Sequence, residues 1–105
     1  MSFHDAHDAE LHETREAALC RRARRSRRRG DERRALLLLR EAAYENEHEP
    51  KLWVFYGLQC ARTGRVDEAE RALLHAAWLR ERAHEPAKAR VTRELLDAVL
   101  GNRAA

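Results

Sequence analysis

Residues 52–78 read LWVFYGLQCARTGRVDEAERALLHAAW, and they predict two helices joined by a turn near Gly64. Large and small residues recur on both sides of that glycine at spacings that bring them to one helix face. These residues are Trp53, Gly57 and Cys60 before the turn, and Ala69, Leu73 and Ala76 after it. Asp67 followed by Glu70 has the arrangement of a capping box, so we expect Asp67 to start the second helix.

The same pattern occurs a second time, about 34 residues earlier in the chain, which indicates an internal repeat. Large residues align with large ones, small with small, and the turn glycine aligns with another glycine. The aligned pairs are Trp53 with Leu19, Gly57 with Ala23, Cys60 with Ser26, Gly64 with Gly30, Ala69 with Ala35, Leu73 with Leu39, and Ala76 with Ala42.

Over roughly residues 17–100 the chain resembles a tetratricopeptide repeat (TPR) protein of the small bacterial type, whose pattern is W-x2-L-G-x2-Y…A-x3-F. The second copy matches well, whereas the first has Leu19 and Ser26 at the tryptophan and tyrosine positions. The resemblance implies an all-α fold, a right-handed array of two TPR-like helical hairpins with a C-terminal capping helix. Such an array is short, because about three repeats is the usual minimum for a stable stack.

Glycine, proline and capping residues predict the helix boundaries. Residues 5–29 contain neither proline nor glycine and predict one long helix that Gly30 ends, after which Asp31 caps the next helix. Pro50 opens the third helix, since a first helical position needs no N–H.

The last helix is predicted over residues 87–100, with Val91, Leu95 and Val99 as its apolar stripe, Leu96 and Leu100 widening that stripe, and Gly101 and Asn102 at its end. The predicted organisation is an acidic N-terminal segment over 1–16 that extends the first helix, a first hairpin over 17–50, a second hairpin over 51–85, a capping helix over 86–101 and a tail over 102–105.

Length and composition limit the class of protein. A chain of 105 residues predicts one domain with a modest core. No apolar run is long enough to cross a bilayer, and the start MSFHDAHDAE lacks the basic and apolar regions of a signal peptide, so we expect a cytoplasmic protein. Cys20 and Cys60 are expected to be reduced thiols at helix positions facing the core or a groove.

The strongest chemical feature is the segment Arg21–Arg29, which holds seven arginines in nine positions. By the family resemblance, the first helix of each hairpin lines a concave groove that binds a peptide or a partner helix. The resemblance therefore implies a groove with a cationic wall and an apolar floor, suited to an acidic or amphipathic segment of another protein. The groove residues are Arg24, Arg27, Arg28, Lys51, Val54, Phe55, Leu58, Arg62 and Arg90.

Family members that clamp a C-terminal carboxylate use paired asparagines, and here Arg24 and Leu58 occupy those positions. The sequence thus favours an adaptor, scaffold or co-chaperone-like module over that particular tail-binding function. Three alternatives to protein binding stay open. The arginine run could be a solvated face in an arginine-biased chain, or a nucleic-acid site, against which stands the absence of aromatic residues near the arginines. It could also be screened by the acidic N-terminal segment until a partner displaces that segment.

The repeat pattern does not place Leu37 in the core, because its counterpart in the second copy is Arg71. It is expected to lie beneath the N-terminal segment or in a contact between two chains, so a homodimer is one prediction.

Nothing in the sequence predicts catalysis, a cofactor or a metal. A nucleophile would need a base and an orienting group, and Cys60 with His75 is the only conceivable pair, with Cys60 at a buried packing position. His4, His7 and His12 lie among acidic residues without a fourth convincing ligand, which is typical of a frayed terminus. We therefore predict a non-enzymatic interaction module.

Overall fold

The computed structural model describes residues 13–104, with side chains as far as residue 102, and this part of the chain contains helices and no strand. The helices are α1 (Arg15–Arg28), α2 (Glu32–Glu45), α3 (Pro50–Arg62), α4 (Val66–Arg82) and α5 (Pro86–Ala104). Each helix packs on the next one in the chain. The all-α class is confirmed, and no helix of the described chain is apolar over a length that would cross a membrane.

Three of the four turns share one conformation. Gly30 and Gly64 have φ of +83° and +80°, in the left-handed region that glycine adopts without steric cost. In both turns the following N–H bonds back to a helical carbonyl, from Asp31 to Ser26 at 2.9 Å and from Arg65 to Cys60 at 2.8 Å. The turn between α4 and α5 has the same form, but its left-handed residue is His84, with φ of 59°.

The 34-residue spacing read from the sequence is present in the helix boundaries. α1 and α3 end at Arg28 and Arg62, and α2 and α4 begin at Glu32 and Val66. Burial follows the same spacing, because both members of five aligned pairs are buried. These pairs are Ala23 and Gly57, Ser26 and Cys60, Ala35 and Ala69, Leu39 and Leu73, and Ala42 and Ala76. Small residues at these positions allow neighbouring helices to approach closely.

The core is one cluster of buried residues to which all five helices contribute. Ala42, Ala76 and Leu73 are fully buried, and so is the thiol of Cys60, as the sequence predicts. Leu39 belongs to the core, as expected, while Leu37 is 48% exposed.

Two helix starts differ from the predictions. The predicted continuous helix from residue 5 is wrong within the described chain, because Thr14 is extended, with φ −65° and ψ 153°, and its hydroxyl caps α1 by accepting from the Ala17 N–H. The expected cap at Asp67 is also wrong. The N-cap of α4 is Arg65, whose side chain makes no capping hydrogen bond, and Asp67 lies in the first turn. Asp31, by contrast, caps α2 as predicted.

The last helix differs in its end and in its buried face. α5 continues through Gly101 and Asn102 to Ala104, and a single helical glycine costs only about 1 kcal/mol. The predicted apolar face is wrong at Val91, which is 52% exposed, whereas Leu96 and Val99 are buried and Leu95 and Leu100 pack against the core, as predicted. Ala89 and Thr92 complete the buried face. Thr92 enters the core because its hydroxyl donates to the Lys88 carbonyl at 2.8 Å and accepts from Arg80 at 2.7 Å.

Candidate functional site

A cavity of about 280 Å³ lies between α1 and α3, in the region that the sequence predicts as a groove. Its apolar lining comes from three helices, with Ala23 on α1, Leu39 on α2, and Phe55 and Leu58 on α3. Phe55 is 40% exposed, so a large aromatic face remains in contact with water. Arg24 and Arg27 line the same cavity, one helical turn apart on α1.

A second cavity, of about 320 Å³, shares Cys20, Arg24 and Phe55 with the first and brings in Lys51. We call the two together the α1–α3 groove. Pro50 begins α3, so Lys51 stands in the first turn of that helix and faces the middle of α1. The groove thereby brings together five of the predicted residues, namely Arg24, Arg27, Lys51, Phe55 and Leu58.

Three cations of the groove have no ion-pair partner in the part of the chain that the structure describes. Among the residues that the structure describes, Arg24, Arg27 and Lys51 form no ion pair and no side-chain hydrogen bond. Other arginines nearby are occupied, since Arg21 binds Glu13 with Nε 3.1 Å from Oε1. Glu16 is the one further acid in the groove lining, so positive charge remains in excess there.

The thiol of Cys20 lines both cavities. Burial raises the pKa of Cys20, and the nearby Lys51 and Arg24 oppose that effect by favouring the thiolate. Burial likewise raises the pKa of Cys60, which lies in the core. Both cysteines are free thiols. The cation effect on Cys20 is further evidence that Arg24 and Lys51 direct positive charge into the groove.

Two predicted groove residues have other surroundings. Val54 is 8% exposed, packs in the core and lines neither cavity of the groove. It lies one position before Phe55, and neighbouring helical residues point about 100° apart. Arg62 is engaged at the end of α3, where Nη2 lies 2.6 Å from Oε1 of Glu32 and Nε lies 3.3 Å from Oε2.

Arg28 and Arg90 are exposed, and neither lines the α1–α3 groove. Arg28 is the last residue of α1, and Arg90 lies on α5, which makes its main contacts with α4. The role of Leu37 in a contact between chains stays a prediction.

Gln59 is a groove residue that the sequence reasoning missed. It lines the first cavity while being only 1% exposed, and its Nε2 donates to the Glu32 carbonyl at 3.0 Å and to Glu32 Oε2 at 2.7 Å. Its Oε1 has no hydrogen-bond partner among the described residues. A polar residue next to Cys60 in an otherwise apolar helix is the signal that could have found it.

Within the described chain, no three histidine, cysteine or acidic side chains come together as metal ligands, and His4, His7 and His12 lie outside that part. Comparison of the chain with protein-family models, with curated proteins and with solved structures finds no match in any of the three.

Proposed function

We propose that this chain is a non-enzymatic protein-interaction module that binds an acidic or amphipathic segment of another protein in the α1–α3 groove. The observation that carries the proposal is a set of three cations, Arg24, Arg27 and Lys51, that have no ion-pair partner among residues 13–102 and lie beside an apolar floor formed by Phe55 and Leu58. A buried carboxylate partner would gain charge-assisted hydrogen bonds from these groups, and guanidinium binds carboxylate in a bidentate manner.

The architecture we propose for the module is a right-handed, TPR-type array of two hairpins closed by α5. Three facts support it: the common 34-residue spacing of helix ends, the matched burial of small residues, and the repeated turn at Gly30 and Gly64. In such an array α1 and α3 are the first helices of the two hairpins. The groove between them then has the position at which this class of repeat binds peptides.

Binding in this groove combines two contributions. Burial of apolar anchors on Phe55 and Leu58 supplies affinity at roughly 25 cal/mol per Å² of apolar area. Carboxylates flanking the anchors fix the register against Arg24 and Arg27, and they make association sensitive to salt. The module would act as an adaptor or scaffold in the cytoplasm, with the ligand bound as a short segment.

The test uses a fluorescein-labelled 12-residue peptide in which leucine and phenylalanine alternate with glutamate pairs, and a second peptide with glutamine in place of glutamate. Fluorescence anisotropy gives the affinity of each. We expect Arg24→Glu with Arg27→Glu to weaken binding of the acidic peptide at least about tenfold, because a hydrogen bond to a charged group contributes roughly 1.5–3 kcal/mol. We expect Phe55→Ala with Leu58→Ala to weaken binding of both peptides.

The matched control is Arg22→Glu with Arg25→Glu, which changes charge equally on the same helix at exposed positions outside the groove lining. If the Arg22/Arg25 variant weakens binding as much as the Arg24/Arg27 variant does, the arginines act only through long-range charge and the groove assignment is wrong. Equal affinity for the acidic and the glutamine peptide would likewise reject an acidic ligand. Thermal unfolding of each variant separates lost binding from lost folding.

A further inference from the structure

A cavity of about 610 Å³ lies outside the α1–α3 groove, where α2, α3 and α4 meet. We call it the aromatic cleft. It is lined by Arg40, Tyr44, Glu47, His48, Trp53, Tyr56, Glu68, Arg71, Ala72, His75 and Trp78. α1, with its arginine run, contributes no residue to this lining, so the cleft is separate from the proposed peptide groove.

The rings of the cleft form a continuous chain of contacts. Tyr44 lies 5.4 Å from Trp53 between ring centroids, Trp53 lies 4.9 Å from His75, and His75 is stacked on Trp78 at 5.9 Å with 20° between the planes. The inner rings are held in place by hydrogen bonds, since the Trp53 indole N–H donates to the Glu47 carbonyl at 2.8 Å. The two end members, Tyr44 and Trp78, are 55% and 50% exposed.

Guanidinium groups accompany both exposed rings. Arg40 lies 5.5 Å from the centre of the Tyr44 ring, and Arg82 lies 4.9 Å from that of Trp78. Arg71 of α4 also lines the cleft and makes no ion pair within the described chain. The cleft therefore combines partly exposed rings with guanidinium groups, one of which lies over each exposed ring.

The acids of the cleft do not cancel this charge. Glu68 is already engaged, because one oxygen accepts from the Tyr56 hydroxyl at 2.8 Å and the other pairs with Arg65 at 3.1 Å. Glu47 is the other acid of the lining, against Arg40 and Arg71 in the lining and Arg82 over the Trp78 ring. Excess positive charge next to exposed rings suits a ligand that is planar and anionic.

We propose that the aromatic cleft binds single-stranded nucleic acid, with bases stacked on Tyr44 and Trp78 and phosphates bound by Arg40, Arg71 and Arg82. Aromatic platforms combined with a basic surface are the general means of binding single strands without sequence readout. A free nucleotide would use one ring. Two exposed rings at opposite ends of one chain of contacts suit two bases of the same strand.

The sequence alone argues against nucleic acid because no aromatic residue lies near the Arg21–Arg29 run. Folding changes this, since it brings Tyr44 of α2 and Trp78 of α4 to one cleft with arginines from both helices. The two rings are 34 residues apart, so the internal repeat presents the same exposed aromatic position twice.

The experiment measures binding of a fluorescein-labelled 15-nucleotide oligo(dT) strand and of an abasic strand of equal length by anisotropy in 150 mM NaCl. Both strands carry the same phosphates, so any binding to the arginines of α1 is common to them, and their affinity ratio isolates base stacking. We expect wild type to prefer the intact strand at least about tenfold. The preference should disappear in Tyr44→Ala with Trp78→Ala.

The matched control is Leu74→Ala, an exposed apolar residue of α4 outside the cleft lining, which should keep the wild-type preference. A wild-type protein that binds both strands equally, or a preference that survives loss of both rings, would overturn the proposal. Thymidine monophosphate that displaces the strand at equal nucleotide concentration would indicate a free nucleotide instead. A labelled deca-proline peptide tests the remaining possibility. If it binds in a manner that depends on Tyr44 and Trp78, and strand binding does not depend on the bases, the cleft is a peptide site and the proposal is wrong. Far-ultraviolet circular dichroism verifies that every variant is folded.

Discussion

Gly57 on α3 faces Leu73 on α4 so closely that a Cβ added at Gly57 would lie 3.0 Å from Cγ of Leu73. It would also lie 3.2 Å from Cβ of Ala72, and both neighbours are buried. Contacts of this length require a neighbour to move, and a fully buried leucine has little room to do so. The hydrogen side chain of Gly57 is therefore a condition for packing α3 on α4.

We expect Gly57→Val to lower the free energy of unfolding by about 1–3 kcal/mol or more, because it overpacks this contact. Gly101→Ala is the matched control: Gly101 also lies in a helix, but nothing stands within 4 Å of its added Cβ. That substitution should leave stability unchanged or raise it by up to about 1 kcal/mol. Urea unfolding followed by circular dichroism measures both. A Gly57→Val protein as stable as wild type would reject the close approach and the repeat register with it.

His84 holds the left-handed position that glycine holds in the two earlier turns. A non-glycine residue in this conformation destabilises the folded state by roughly 1–2 kcal/mol. Glycine removes that steric cost, but it also raises the conformational entropy of the unfolded chain, which offsets part of the gain. We expect His84→Gly to stabilise the protein by about 0.5–1 kcal/mol in urea unfolding. Gly64→Ala, the reverse change in the same kind of turn, should destabilise by about 1 kcal/mol. If both substitutions shift the unfolding midpoint in the same direction, the turn conformation is not what determines their effect.

The helices and their turns could be predicted from the sequence because the signals are local. Gly30, Gly64, Asp31 and Pro50 act through their own backbone conformation or through the adjoining turn, and each has its predicted role. The misplaced boundaries involve competing caps. Residues 5–13 contain neither proline nor glycine, so the absence of a helix breaker could not reveal that Thr14 caps α1.

The surface residues were harder to predict because burial depends on neighbours far along the chain. Val54 and Phe55 are equally apolar, and only the packing of α3 against the other helices separates a core residue from a groove residue. Gln59 is buried because it meets Glu32, 27 residues earlier. The aromatic cleft likewise depends on side chains from three helices.

Arg62 and Gln59 both donate to the Glu32 carboxylate and lower its pKa to about 2 from an ordinary value of 4.5. A carboxyl with a depressed pKa in the folded state stabilises the fold above its unfolded pKa, and this stabilisation is lost as pH falls from about 4.5 towards 2. We expect Glu32→Gln to unfold at lower urea than wild type at pH 7, and the difference to shrink progressively below pH 4.5.

The control for this prediction is Glu94→Gln, an exposed position of α5 that makes no ion pair within the described chain. It should match wild type at pH 7. A Glu32→Gln difference that stays constant between pH 7 and pH 3 would show that the contact acts through packing rather than through the charge.

The alkylation rate of Cys20 should report whether the groove is occupied, and that of Cys60 should report opening of the fold. Cys20 lines the groove and is half-buried, whereas Cys60 has no exposed surface. In native protein at pH 8 we expect iodoacetamide to modify Cys20, and Cys60 to react about a thousandfold more slowly, because modification of a core thiol requires opening of the fold. Mass spectrometry of Cys20→Ser and Cys60→Ser proteins assigns each rate.

Arg24→Glu removes a cation that lowers the pKa of Cys20, so alkylation of Cys20 should be slower in this variant than in wild type. Saturation with the acidic peptide should protect Cys20 and leave Cys60 unaffected; a peptide that binds tightly without protecting Cys20 would have to occupy another surface.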